Sequence, residues 1–212
     1  MLLAPERNEE VVGWLRDYLG GTYSGGAFDR AIDHDYPNEF TQRDFDAVAK
    51  LKVAVLKPTQ AWLKGDGRAE VSRLLNAIDQ DLDIWDVTEE DFDEILGENG
   101  PAWRLWKLIE GLQKEGRAGH AGTGVTAGKL LHGKRPRLIP IYDDKAVKPT
   151  LHVTDVNVWG AFWCILRNED VRTRLDEIQQ SVPESAELST LRVLDIVVWM
   201  SANVADGQVS SD

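Results

Sequence analysis

Apolar residues recur along most of this chain at the spacing of an α-helix, and strict alternation of apolar and polar residues is nearly absent. The first periodic segment covers residues 1–20. The last is SAELSTLRVLDIVVWM, which places Leu191 and Val198 on one side of a helix. Only LKVAVL is typical of a strand. The pattern therefore predicts an all-α chain of eight to ten helices.

Helix start signals support this prediction. Thr41 is a good N-cap with Asp44 three residues further on, and Thr88 precedes the acidic segment EEDFDEI. Pro101 follows Gly100 and suits the first position of a helix. We also expect a helix to begin at Thr126. These signals place helix starts along the chain without any strand between them.

Composition narrows the class of protein. With 42% hydrophobic and 28% charged residues, the chain is typical of a folded globular protein. No apolar stretch approaches the roughly 18 residues that span a bilayer, and MLLAPERNEE does not resemble a signal peptide. We expect one cytoplasmic all-α domain over residues 1–212, with no membrane partner. Cys164 is the only cysteine, which excludes an internal disulfide, and its apolar neighbours predict a buried thiol.

Charge is unevenly distributed along the chain. The net charge is −12, but residues 120–150 contain six basic residues and only two acids. An acidic body argues against non-specific nucleic-acid binding by the whole surface. The basic segment is either a solvated loop that pairs with acidic neighbours or an anion-binding surface. Both alternatives stay open at the level of sequence.

Candidate chemistry concentrates in the same region. Small residues precede a helix near Gly122 and Gly124, and the positive end of a helix can bind a phosphate. Asp143 follows an apolar stretch, so partial burial could raise its pKa or hold it ready as a carboxylate. Other candidates are weaker. The glycine-rich run GGTYSGGAFDR lacks the P-loop ending and is interpreted as a plain loop. Asp195 is expected to pair with Arg192 within one helix or to act as a buried cap.

Segment 121–147 resembles the hairpin and catalytic-aspartate region of the helix-hairpin-helix DNA glycosylases. The family pattern is G-h-G, two residues, T-A, a helix, an apolar-Pro-apolar stretch and then an Asp. The matching residues are Ala121-Gly122-Thr123, Gly124-Val125, Thr126-Ala127, the helix through Leu131, Ile139-Pro140-Ile141-Tyr142 and Asp143. This resemblance implies a compact two-lobed helical fold whose cleft faces Asp143.

The resemblance also implies a function, monofunctional excision of a base from duplex DNA. Asp143 would be the catalytic carboxylate, with the adjacent Asp144 as the alternative, and Tyr142 is the candidate for stacking on a flipped base. No cofactor and no metal ion are expected. The implied phosphate-binding residues are Gly122, Thr123, Gly124, Val125, Lys129, Lys134 and Arg135.

The sequence departs from the glycosylase pattern at several points. Ala121 and Thr123 replace the two hairpin glycines, no lysine occupies the hairpin position of the bifunctional enzymes, and four cysteines for an iron–sulfur cluster are absent. Over nearly its full length the chain also resembles an uncharacterised bacterial family of unknown function, in the runs TAGKLL, KRPRLIPIYD and LRVLDIVVWM. The alternative function is therefore a catalytically inactive, acidic helical interaction protein that binds a protein or a small ligand.

Overall fold

Helices form all the regular structure in the computed structural model, which describes residues 2–115, 122–141, 143–151 and 158–205. No strand occurs among these residues, and the strand-like run LKVAVL is a turn followed by an extended connection. The all-α prediction is confirmed for the described ranges. They contain twelve α-helices, more than the eight to ten predicted, because several helices are only five to nine residues long.

The helices follow one another with short connections. Single 3-10 turns occur at Pro5–Arg7, Ile84–Asp86 and Pro183–Ser185. The α-helices of the described chain are α1 (Asn8–Leu19), α2 (Gly25–Asp29), α3 (Gln42–Lys50), α4 (Lys57–Lys64), α5 (Arg68–Asn76), α6 (Glu89–Ile95), α7 (Pro101–Glu115), α8 (Thr123–Lys134), α9 (Asp144–Leu151), α10 (Val158–Leu166), α11 (Glu169–Gln180) and α12 (Thr190–Ala205).

The predicted caps explain where several helices begin. The backbone N–H of Thr41 donates to the Asp44 carboxylate over 2.7 Å, and the Thr88 hydroxyl accepts from the N–H of Asp91. Two starts differ from the prediction. The last helix begins at Thr190, where the Ser189 hydroxyl accepts from the N–H of Arg192. The helix expected from Thr126 begins at Thr123.

The longest helix, α12, lies at the centre of the core. Leu191 and residues 193–198 are all buried. Within 193–198 every residue is apolar apart from Asp195, which is a buried acid. A helix that is buried on all sides is an interior helix. It packs against α1, α9 and α11, while α8 packs against α3 and α7. Buried apolar side chains from Leu3 to Met200 form one hydrophobic cluster around these helices.

Two further observations concern the surface. None of the described helices is long and apolar enough to cross a bilayer. Cys164 is exposed, so the prediction of a buried thiol is wrong. The reason is that its neighbours Phe162 and Leu166 point into the core, whereas Cys164 lies on the opposite side of α10.

Arg135 joins three parts of the chain from a fully buried position. Its guanidinium donates to the carbonyl oxygens of Leu75 and Ile78 at the carboxyl end of α5, and to the carbonyl of Pro37 and the side-chain oxygen of Asn38. A helix end leaves carbonyl groups without partners inside the helix, and Arg135 binds one of them, at Leu75, and a second carbonyl, at Ile78, just after the helix. Burial lowers the pKa of Arg135 to about 10, so the side chain is still protonated at neutral pH.

Replacing Arg135 with Met is expected to lower the free energy of unfolding by about 3 kcal/mol or more, because several buried carbonyls lose their donor. Urea denaturation at neutral pH measures the loss. The control is Arg73→Met on α5. Arg73 and its partner Glu70 are both exposed, so this loss should cost about 1 kcal/mol or less. Equal losses in the two variants would contradict a structural role for Arg135.

Candidate functional site

A cavity of about 520 Å³ opens beside Asp143. Its walls come from the turn between α1 and α2, the end of α3, the middle of α8, the segment around the start of α9, and α12. These elements are distant in sequence. A cleft of this size, lined by both apolar and charged groups, is typical of a small-molecule or substrate site.

The glycine-rich turn after α1 forms one wall. Gly21 has a positive φ of 98°, which allows the sharp reversal out of α1. Gly25 begins α2 directly against the Tyr18 ring, and a Cβ at this position would overlap that ring. The first half of the run is a turn, as the sequence indicated, but the second half is the short helix α2 rather than the loop that was predicted. Sequence analysis did not place the run at the site.

Asp143 lies at the cavity wall, half-buried, immediately before α9. Its backbone carbonyl accepts from the N–H of Val147 over 2.8 Å and so belongs to the first turn of the helix. The position of the residue is therefore fixed by α9 on one side and by the buried Ile139–Ile141 segment on the other.

Lys129 extends from α8 into the same cavity and is only 9% exposed. Its ammonium group donates to the carbonyl of Leu51 over 3.2 Å. Burial lowers the pKa of Lys129, an effect that nearby Asp143 opposes and that Arg192 reinforces. A cation and a carboxylate from separate helices thus lie close together in one partly enclosed space.

Arg192 forms the floor of the cavity from α12. Its guanidinium donates two hydrogen bonds to the Asp29 carboxylate, at 2.9 and 3.2 Å, and one to the Tyr18 hydroxyl at 3.0 Å. A carboxylate oxygen of Asp195, three residues further along α12, lies 3.8 Å from a guanidinium nitrogen of Arg192. This contact confirms the expected pair within the helix. A buried charge needs such partners, and here they come from α1, α2 and α12.

Asp195 connects this floor to the segment that carries Asp143. Its carboxylate accepts from the backbone N–H of Ile141 over 2.7 Å, two residues before Asp143. Burial raises the pKa of Asp195 to about 7, against the opposing influence of Arg192 and the Ile141 N–H. Asp195 is a positioning residue, since it contacts the backbone that leads to Asp143.

The rim of the cavity carries residues that sequence analysis missed. Arg30 and Lys52 are exposed cations on the wall formed by α2 and the end of α3. Tyr23 and Trp199 meet edge to face, with ring centroids 5.4 Å apart. Trp199 has the helical spacing of a core residue. Arg30 and Lys52 lie in runs that the sequence marked only as a loop and as a strand-like segment. Only the packing of distant helices brings these side chains together.

The predicted phosphate-binding residues on α8 separate into two groups. Lys129 lines the cavity, whereas Lys134 and Arg135 are buried elsewhere and bond inside the protein. Lys134 pairs with Asp44 at 2.7 Å and also donates to the carbonyls of Asp33 and Tyr36. We therefore leave Lys134 and Arg135 out of the candidate site.

The hairpin residues lie at the start of α8, away from the cavity. Gly122 adopts the left-handed conformation with φ of 76° and accepts from the N–H of Thr126. Thr123 is buried, and the carbonyl of Gly124 accepts from the Trp106 indole over 3.1 Å. Val125 is partly exposed in the first turn. The segment that matches the hairpin pattern therefore begins a helix, α8. Phosphate binding at this helix start remains a prediction.

Two predicted residues cannot be placed. Tyr142 lies outside the described residues. Asp144 begins α9 with its backbone, but its side chain also lies outside the described part of the chain. In the described ranges, no three His, Cys, Asp or Glu side chains form a group that could hold a metal ion.

Comparison with known proteins identifies the family. The model of DUF6308, a family of unknown function, matches residues 11–202, and the chain belongs to that family. The expectation of an uncharacterised family is therefore confirmed. No curated protein and no solved structure matches the chain.

Replacing Asp195 with Asn is expected to change how stability depends on pH. A carboxyl whose pKa is raised on folding stabilises the protein below its unfolded pKa, and this contribution is lost as pH rises through the folded value near 7. Wild type should therefore lose stability relative to Asp195→Asn between about pH 4 and 7, by at most about 1.4 kcal/mol per pH unit.

Urea denaturation of both proteins over that range measures the difference. Asp66→Asn is the control, because Asp66 is exposed in the turn before α5 and should show no such trend. A difference between wild type and Asp195→Asn that stays constant with pH would contradict the raised pKa.

Proposed function

We propose that this protein is a glycosylase related to the helix-hairpin-helix type, in which the cavity receives one nucleotide and Asp143 assists hydrolysis of its N-glycosidic bond. The observation that carries the proposal is the position of Asp143. The residue where the resemblance expects a catalytic carboxylate lines a cavity of about 520 Å³ that Lys129 also lines. The two-lobed arrangement of the resembled family is part of the same proposal.

The proposed reaction needs a carboxylate beside a sugar. The oxygen of a water molecule forms a bond to C1′, the N-glycosidic bond breaks, and the departing base takes the electron pair and a proton. Positive charge develops on the sugar in the transition state, and a nearby carboxylate stabilises it. Asp143 would supply that carboxylate. Lys129 would stabilise the negative charge that develops on the departing base.

The aromatic rim supports a planar ligand. Enzymes that act on a base hold it against aromatic side chains in a pocket. Tyr23 and Trp199 present rings at the cavity, and Trp199 is half-buried. These rings add to Tyr142 as candidates for contact with the base.

One observation favours the second candidate, ligand binding without catalysis. Lys134 and Arg135 lie inside the protein, so two cations that were expected to attract DNA are withdrawn from the surface of an acidic molecule. A protein that has this cavity but no catalytic activity would bind a small ligand there. The two candidates share the cavity and differ in whether Asp143 changes the ligand.

Replacing Asp143 with Asn should reduce base release by at least about 100-fold, because the carboxylate charge is lost while the shape is kept. The assay follows free bases by chromatography after incubation with deoxynucleoside monophosphates and with duplexes that contain damaged bases. Ligand binding should persist in the variant.

The matched control is Asp66→Asn, an exposed acid far from the cavity in sequence, which should keep the wild-type rate. Base release by Asp143→Asn at the wild-type rate would exclude Asp143 as the catalytic group. Binding with no base release by wild type would favour the second candidate.

A further inference from the structure

The basic segment 120–150 contributes few exposed cations among its described side chains. In the basic segment 120–150, Lys134 and Arg135 are buried, and exposed Arg137 pairs with Asp83. Lys129 lines the cavity, while the side chains of Lys145 and Lys148 lie outside the described residues. Two of the three cations implied as phosphate-binding residues, Lys134 and Arg135, therefore do not face a duplex.

The cavity has a charge opposite to that of the whole molecule. Its described charged residues are Arg30, Lys52, Lys129, Arg192, Asp143 and Asp195. Asp29, which pairs with Arg192 at the floor, adds a third carboxylate to this set. Four cations and three carboxylates leave a small positive excess in a chain whose net charge is −12. A phosphate monoester carries a charge between about −1.5 and −2 at neutral pH, opposite in sign to this local excess.

The backbone at the end of α3 places Lys52 on the cavity wall. Lys52 has a positive φ of 56°, the only such non-glycine residue in the described chain. Its N–H donates to the carbonyl of Ala49, so the left-handed conformation ends α3 here. Lys52 follows Leu51, whose carbonyl accepts from Lys129, and both cations line the cavity.

The distribution of charge affects the binding of a small anion and of a polyanion differently. Charges more than about 8 Å apart are largely screened at physiological salt, so a single phosphate at the rim experiences mainly the nearby cations. A duplex extends its phosphates over the acidic body and gains affinity only in proportion to the phosphates it can neutralise. The arrangement favours one phosphate group over many.

From these observations we infer that the ligand of the cavity is a free nucleoside monophosphate, with its phosphate between Arg30 and Lys52 and its base beside Tyr23 and Trp199. This inference rests on the proposed function for the reaction, and it replaces the duplex DNA of the resembled family with a single nucleotide. The size of the cavity suits a small molecule.

Isothermal titration calorimetry tests the ligand class with four probes: deoxynucleoside monophosphates, the matching nucleosides, inorganic phosphate and a short duplex. We expect a monophosphate to bind at least about tenfold more tightly than its nucleoside, which corresponds to about 1.4 kcal/mol. Tighter binding of the duplex, or equal binding of nucleoside and monophosphate, would overturn the inference.

Two variants locate the phosphate. Arg30→Gln and Lys52→Gln should each weaken monophosphate binding about threefold to tenfold, because a charged hydrogen-bond donor is lost. Nucleoside binding should not change. Lys50→Gln is the matched control, since Lys50 is exposed at the end of α3 but does not line the cavity. An equal effect of all three substitutions would assign the result to general charge and overturn the inference.

The outcomes distinguish this inference from the proposed function. Duplex binding with base release that depends on Asp143 would overturn the inference and support the function. Monophosphate binding that depends on Lys52, without base release, would support the inference and overturn the function. Absence of both binding and base release for every probe would overturn both.

Discussion

The buried charge network around Arg192 is the constraint on which the site depends. Its guanidinium holds Asp29 and the Tyr18 hydroxyl, and Asp195 beside it holds the backbone N–H of Ile141. A buried charge without partners costs several kcal/mol, so the helices that supply these partners are kept together. Through this network α12 fixes the glycine-rich turn on one side and the approach to Asp143 on the other. The cavity is the space that remains between them.

The cations of this protein differ in where they lie. Lys134 and Arg135 stabilise loops and helix ends from inside the protein, whereas Arg30, Lys52 and Lys129 remain at the cavity. The cavity thus has a small positive excess of charge in a chain whose net charge is −12. Such focusing raises the local concentration of small anions and disfavours long polyanions. This contrast links the packing of the core to the class of ligand that we infer.

Local signals in the sequence were sufficient for the helices but not for the cavity. Thr41 and Asp44 are three residues apart, so their cap follows from the sequence alone. Arg192 and Asp195 share one turn and could be paired for the same reason. Arg135 shows what the sequence could not predict. Its partners lie about 60 and 100 residues away along the chain, and composition and periodicity report only on neighbouring residues. Its position in a basic turn therefore suggested a phosphate ligand.

A structure of the Asp143→Asn protein with a deoxynucleoside monophosphate tests the central claim most directly. We expect the phosphate to lie against Arg30 and Lys52, the base beside Trp199, and the C1′ atom next to residue 143. A nucleotide bound on any other face of the molecule, or one whose sugar lies away from residue 143, would contradict it.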